Sequence, residues 1–425
     1  MLKSVAILGG GRIPFQPSGT IYNKYSNYDL IKLAFDGIFD KTKIDKNQVD
    51  NVMVGNVIQE VKTSNVAREA ALGCNISNKV PAITIAQACI SSSQCVSIGA
   101  DKIKLGDSNL VLAGGVETFS DVPIRYSKPM RQWLLNFPKE SKKGIGNTLS
   151  YLSKIKPTYL IPEPPALANF TTGELMGFTS EKIADRFGVS RNDQDEFTIR
   201  SHNLANNAHE KGFYDNEIFP VEGNTQENNI RPNQDIKKLG RLKSSFKKNG
   251  THTPGNSTGL SDGASACLIS SLEKADELDI SPMGYIMDSV FMGTDPYEEM
   301  LLGPAYAINK ILNKNNLTIN DIGVFEIHEA FAGQILANIN GLNSDKFSNE
   351  KLGRNKIGEI PLDRLNLWGG SLAIGHPLAA SNIRNIMTAV NRLEQENKEL
   401  ALVAACADSG LANAMLISKT NKLTN

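Results

Sequence analysis

Short apolar runs alternate with stretches of helical apolar spacing along the first part of the chain. Val5–Leu8 predicts a strand, Tyr28–Phe39 an amphipathic helix and Asn51–Gly55 a second strand. Ser64–Leu72 predicts another helix, with Ser64 or Asn65 available as its cap. The run Val80–Ala88 predicts a buried strand that turns into a helix at Cys89, where the small residues Ser91-Ser92-Ser93 begin. Leu110–Ala113 follows as a strand ending at Gly114-Gly115. This β-then-α order implies an α/β sheet covered on both faces.

Residues 119–255 break the pattern. They are rich in Pro, Lys, Asn and Gln and are expected to be less regular. The sheet resumes at Ala264–Ser270, and a second β/α series runs from Gly284 to Ala414–Ile417. Each series holds one reactive-looking cysteine, which suggests two related halves. Within the interruption, Met130, Trp133, Leu134 and Phe137 share one helical face, and Ile145, Leu149, Leu152 and Ile155 repeat it. Arg125, Lys128, Arg131, Lys139, Lys142, Lys143, Lys154 and Lys156 surround these apolar residues. Residues 125–156 therefore suit either an anionic membrane surface or a lid over a substrate channel.

Composition narrows the function classes. The chain has 425 residues, enough for two or three domains, with 45 basic and 45 acidic side chains. Such a balance gives no global reason to expect nucleic acid. The 5 cysteines are scattered without a paired spacing, so neither a disulfide framework nor a zinc site is implied and a reducing, cytoplasmic setting is expected. The start of the chain enters a strand at Ser4-Val5 rather than a signal-peptide apolar region, and no apolar run is long enough to span a bilayer.

The candidate chemistry centres on two thiols and two imidazoles. Cys89 and Cys406 each follow an apolar run, as does His328, while His376 lies in the turn Gly375-His376-Pro377. A thiol near neutral pH is mostly protonated, with a pKa of roughly 8.5, unless a helix N-terminus or an imidazole assists it. Taken singly, a free cysteine is usually a small buried hydrophobe and a histidine usually structural. The histidine spacing fits no metal motif, and the glycines at 9–11 do not form a dinucleotide fingerprint. Together the four groups suit acyl transfer through a cysteine.

These segments resemble the thiolase family over nearly the whole chain. The resemblance rests on Arg12-Ile13-Pro14-Phe15, Asn65-Val66-Ala67-Arg68, the Cys89 segment, Ala113–Glu117, Met176-Gly177, Arg191–Asp195, Asn256–Ala264, Ile327–Phe331, Gly375-His376-Pro377 and Cys406. Val57–Gly73, Ser120–Arg125 and His328 are most similar to the branch that serves as β subunit of the fatty-acid β-oxidation (trifunctional) complex. The resemblance implies the five-layered αβαβα thiolase fold. Residues 1–118 plus 256–280 would be one half, 119–255 an inserted loop domain, and 281–425 the other half.

It implies 3-ketoacyl-CoA thiolysis, with Cys89 as nucleophile, His376 as activator and oxyanion partner, and Cys406 as acid/base. His328 would help through a water. Asn256, Thr258, Gly259, Met176 and Asp408 would lie along the substrate, and the backbone N–H groups of residues 89 and 408 would form an oxyanion hole. CoA and acyl-CoA would be substrates, with no separate cofactor or metal. A homodimer core, a hydratase/dehydrogenase α subunit and peripheral membrane contact would be the partners.

Two segments depart from the family pattern. Gly375-His376-Pro377-Leu378-Ala379-Ala380-Ser381-Asn382 stands where G-H-P-x-G-A-[ST]-G is usual, and Cys406-Ala407-Asp408-Ser409-Gly410 where C-x-[AG]-G-G is usual. Left-handed backbone at Ala379 or Ser409 would be strained. An inward Asp408 would oppose an oxyanion and raise the Cys406 pKa. Three other readings stay open: an impaired or specificity-altered scaffold subunit, an acetoacetyl-CoA-forming acetyltransferase, and a decarboxylating condensing enzyme. The second thiol, Cys406, favours thiolase over the last.

Overall fold

The computed structural model describes residues 5–422; Ser4 of the expected first strand lies outside them, as do residues 423–425. The first half contains β1 (Val5–Arg12), α1 (Asn27–Thr42), β2 (Asn51–Gly55), α2 (Val66–Gly73), β3 (Ala82–Ile85), α3 (Ser91–Leu105) and β4 (Leu110–Glu117). Local chemistry sets the boundaries. Ser26 caps α1 in a capping box with Asp29, and Asn65 rather than Ser64 caps α2 by accepting from the Arg68 N–H. Gly106, at φ 82°, closes α3.

Residues 119–255 then contribute α4 (Lys128–Ser141), α5 (Ile145–Leu152), α6 (Met176–Arg186) and α7 (Arg191–Glu210). The rest comprises β5 (Ser261–Ser271), β6 (Gly284–Gly293), α8 (Gly303–Lys314), β7 (Val324–Ile327), α9 (Ala332–Leu342), α10 (Ser381–Gln395), β8 (Leu400–Ala407) and β9 (Leu411–Ser418).

A repeat is visible in the strand order, β7-β8-β9-β6-β1-β5-β4-β2-β3. In the first half, β1 pairs antiparallel with β5, β5 antiparallel with β4, and β4 parallel with β2. In the second, β6 pairs antiparallel with β9, β9 antiparallel with β8, and β8 parallel with β7. The two sets meet where Val5, Ala6 and Ile7 pair with Ile286, Tyr285 and Gly284.

Side-chain alternation turns this sheet into layers. Leu110 and Leu112 of β4 face one apolar cluster with α1 and α2, while Val111 and Ala113 face another. In β8, Leu402 and Ala404 pack with α8 and α9, while Ala401 and Val403 join the cluster that holds Val111. That shared cluster contains Val96 and Ile103 of α3 and Ile383, Ile386 and Val390 of α10. The order is therefore helix, strand, helix, strand, helix, with α3 and α10 as the central layer.

Two expectations need correction. Val80–Ala88 is not a buried strand: β3 is the half-exposed sheet edge, and four irregular residues separate Ile85 from Cys89's neighbour at Ile90, the α3 cap. Residues 119–255 are more helical than their composition suggests. The 20-residue α7 buries Gln194, Asp195, Thr198, Ser201 and His202, so its inner face carries little apolar signal.

Candidate active site

Cys89 sits between Ala88, held at φ 48°, and the first turn of α3. Left-handed backbone at a residue with a Cβ costs on the order of 1 kcal/mol, so the surrounding structure must hold this turn. Asn382 helps, because its Nδ2 donates to the Cys89 carbonyl at 2.7 Å. Ser92 Oγ accepts from the Ile383 N–H at 3.2 Å, tying the first turns of α3 and α10 together. The thiol is half-buried and lies against Ile90, Ala405 and Ala407.

His376 Nε2 lies 3.2 Å from Cys89 Sγ, and its Nδ1 lies 2.7 Å from Ser381 Oγ. Gly375, at φ 110°, makes the preceding turn, and Ser261 Oγ accepts from the His376 N–H at 3.2 Å. Burial, followed by the nearby Arg384 guanidinium, pushes the His376 pKa down to about 3. Burial and then the Asp408 carboxylate push the Cys89 thiol up to about 12. The resting pair is thus a thiol beside a neutral imidazole that can accept its proton. The backbone N–H groups of Asp408 and Cys89 both address the Cys89 sulfur and oppose the rise.

His328 follows β7 and packs beside His376, with ring centroids 4.2 Å apart. Its Nδ1 meets Ser371 Oγ at 3.0 Å, while its buried Nε2 has no hydrogen-bond partner among the described residues. Burial first, then His376 and Arg384, holds its pKa well below the ordinary value. Cys406, next to last in β8, is buried with Ile183, Met300, Ala330 and Phe331. Its thiol is raised by burial and then by Cys89, which places the two sulfurs in one electrostatic neighbourhood.

The departures resolve differently. Neither Ala379 nor Asn382 lies in the left-handed region; Asn382 is in α10 and the Ala379 N–H donates to the buried Glu117, so those glycine losses carry no backbone strain. Ser409 does, at φ 65°. Asp408 influences Cys89, and Cys406 shows no such influence, contrary to the expectation from sequence. Its Oδ1 is held by Asn169 Nδ2 at 2.7 Å and by the Ser409 N–H at 2.7 Å.

Of the remaining expected residues, Asn256, Thr258 and Gly259 share one loop and Met176 begins α6. Thr258 is half-buried, with Oγ1 donating to the Ala330 carbonyl at 3.1 Å, and a Cβ built at Gly259 meets nothing within 4 Å. Asn256 is fully engaged inside the protein with Asp195, Thr251 and Thr253, so it braces the loop that carries Thr258. Met176 packs partly buried on the cluster that contains Cys406. Sequence reasoning did not single out Ser371, Ser381, Arg384, Glu117 or Asn169. Burial of Glu117 raises its pKa to about 7, against N–H donors from Ile58, Val57 and Ala379.

Comparison with known proteins identifies the family. The family descriptions "Thiolase, N-terminal domain" and "Thiolase, C-terminal domain" match residues 5–273 and 280–419. The mitochondrial trifunctional enzyme subunit beta of Mus musculus is 46% identical, covering 98% of this chain and 88% of that protein. A 3-ketoacyl-CoA thiolase of Yersinia enterocolitica is 36% identical over 97% of this chain and 96% of its own length. The structure of human mitochondrial 3-ketoacyl-CoA thiolase in complex with CoA superimposes with a TM-score of 0.82 at 27% identity, covering 98% of both chains. Matched along both halves and carrying its thiols and imidazoles at one seam, the chain belongs to the thiolase family.

Proposed function

We propose that this thiolase-family acyltransferase cleaves 3-oxoacyl-CoA with CoA, giving acetyl-CoA and an acyl-CoA shortened by two carbons. The contact between Cys89 Sγ and His376 Nε2 at 3.2 Å carries the reading. His376 takes the Cys89 proton, and the thiolate attacks the 3-keto carbon. The C2–C3 bond breaks, leaving an acyl-Cys89 thioester and the enolate of acetyl-CoA. Cys406 protonates that enolate at C2. Its thiolate then takes the proton of incoming CoA, whose sulfur attacks the thioester. Collapse expels Cys89 as a thiolate beside the His376 imidazolium. Backbone N–H groups at 89 and 408 suit the oxyanion on the acyl carbon. Thr258, Gly259 and Met176 are assigned to the CoA arm and Asp408 to the rim of the acyl site. The three-part division at residues 118, 255 and 280 accompanies this assignment.

Intact-protein mass after exposure to a 3-oxoacyl-CoA tests the reading. One acyl adduct is expected, on the peptide containing Cys89, and CoA should discharge it. An adduct only on Cys95, or one that persists in Cys89→Ala, would sink the assignment.

The same reading includes a homodimer core, a hydratase/dehydrogenase α subunit, and a reducing compartment, whether cytoplasmic or the interior of a mitochondrion. The mouse relative's name supports the subunit role. No helix among the described residues is long and apolar enough to cross a membrane. Peripheral contact through 125–156 rests on the α4–α5 hairpin. Trp133 stacks on Phe137 at 5.0 Å and on Tyr151 at 5.2 Å, so these rings hold the hairpin together. Leu135 and Ile145, 81% and 82% exposed, and Leu149 are outward apolar side chains of the hairpin. Changing Leu135, Ile145 and Leu149 to Ser should abolish co-sedimentation with anionic vesicles at low salt. No binding by the parent under those conditions removes the membrane component.

A further inference from the structure

Two imidazoles pack side by side, with ring centroids 4.2 Å apart, yet their surroundings differ. His376 has Cys89 at one nitrogen and Ser381 at the other. His328 has Ser371 at Nδ1 and no hydrogen-bond partner at Nε2 among the described residues. Behind Ser371 lies Arg384, fully buried, whose Nη2 donates to Ser371 Oγ at 3.0 Å. Arg384 is anchored in turn by Glu326, with Nη1 3.6 Å from Oε2. Glu326 accepts from Arg392 at 2.7 Å.

A guanidinium only donates. Its N–H occupies one of the two lone pairs of Ser371 Oγ, and the buried hydroxyl proton still needs an acceptor. Nδ1 of His328 is the acceptor that this hydroxyl meets among the described residues. A neutral imidazole that accepts at Nδ1 must carry its proton on Nε2. We propose that Ser371 and Arg384 are positioning residues that fix His328 as a neutral donor, its proton on Nε2 and presented beside His376. The inference rests on the thiolysis reading and deepens it.

The consequence is a division of labour between like side chains. His376, facing a thiol, holds an open lone pair at Nε2. His328, behind the relay, holds a proton at the same ring position. One takes the proton of the nucleophile, and the other supplies a hydrogen bond to the enolate oxygen, directly or through water. The Arg384 charge also disfavours an imidazolium at either ring. A second base at His328 would compete for the Cys89 proton; the relay prevents that by filling Nδ1 and protonating Nε2.

The test reads ring protonation in the resting enzyme. Nitrogen-15 spectra of histidine-labelled protein, assigned with His328→Gln and His376→Gln, should show opposite tautomers. His328 should carry its proton on Nε2 and His376 on Nδ1. Ser371→Ala should change the His328 signals and lower kcat by roughly 10- to 100-fold, the scale for losing groups that orient a catalytic imidazole. KM should change much less. Alkylation of Cys89 by iodoacetamide should stay close to the parental rate, because the Cys89–His376 pair is untouched. Ser371→Thr, which keeps the hydroxyl, should restore most of kcat. A parental His328 with its proton on Nδ1, or charged, overturns the proposal. So does a Ser371→Ala enzyme with parental kcat, or one whose alkylation falls in step with kcat. If the parent cleaves no 3-oxoacyl-CoA, the thiolysis reading fails on its own, and the spectra still report whether the relay sets the tautomer.

Discussion

The two halves share a strand order but contribute opposite chemistry at corresponding places. Each half contributes one helix to the central layer, α3 from the first and α10 from the second. Cys89 precedes α3 in the first half, and His376 precedes α10 in the second. The first turns of these helices touch through Ser92 and Ile383. Both positive helix ends therefore converge on the thiol–imidazole pair, favouring a thiolate and disfavouring an imidazolium. The first half supplies Cys89, partly exposed. The second supplies His376, His328 and Cys406, all buried. Related topology thus places functional groups by position and leaves their identity to the local turn.

The largest predicted effects test this division. Cys89→Ala should lower thiolysis by about 10⁴-fold or more, as for other enzymes that lose their nucleophile. Cys406→Ala should lower overall turnover by roughly 10²- to 10⁴-fold, the usual range for an acid–base group, while acetylation of Cys89 by acetyl-CoA persists. If the Cys406 variant also fails to acetylate, Cys406 acts before the thioester forms and its assignment to the enolate falls.

His376→Asn should slow Cys89 acetylation by about 10²- to 10⁴-fold. In the parent, the low His376 pKa of about 3 keeps the base neutral from pH 5 to 8. Acetylation should therefore show no His376-dependent acid limb across that range. An inflection near pH 6.5 that disappears in His376→Asn would contradict the low value.

Asp408→Asn should have a smaller effect with a definite sign. The carboxylate raises the Cys89 pKa, so removing its charge lowers it. Alkylation of Cys89 at pH 8 should accelerate by roughly 3- to 10-fold, with its pH midpoint moving down. Asn keeps an acceptor for Asn169; Ala does not, and should also loosen the 169–174 loop. An unchanged pH midpoint in both variants would remove Asp408 from the electrostatics of the site.

The smallest effect compares the strained turns. Ser409 and Ala88 are both left-handed, at φ 65° and 48°. Glycine at either should relieve strain and raise stability by about 1 kcal/mol at most, offset by greater freedom of the unfolded chain. Thermal denaturation of Ala88→Gly and Ser409→Gly measures this. A fall in Tm for both would mean that side-chain packing outweighs the strain.

Cys89, His376, His328 and Cys406 could be proposed from the sequence because local signals mark them: apolar runs ending in turns, and glycines beside an imidazole. The layered α/β architecture was legible for the same reason. Other roles depend on contacts far apart in the chain. Asn169 reaches Asp408 across 239 positions, and Ser371 acquires meaning only beside His328 and Arg384. No local pattern marks such partners. The long α7 was missed because its buried face is largely polar.

The seam between the halves has a consequence for biosynthesis. Cys89 meets a histidine that lies 287 residues further along the chain. A nascent polypeptide that has emerged only as far as the first half carries Cys89 as an unassisted thiol. On the proposed reading, reactivity toward thioesters is withheld until translation has delivered the second half, which spares the unfinished chain premature acylation.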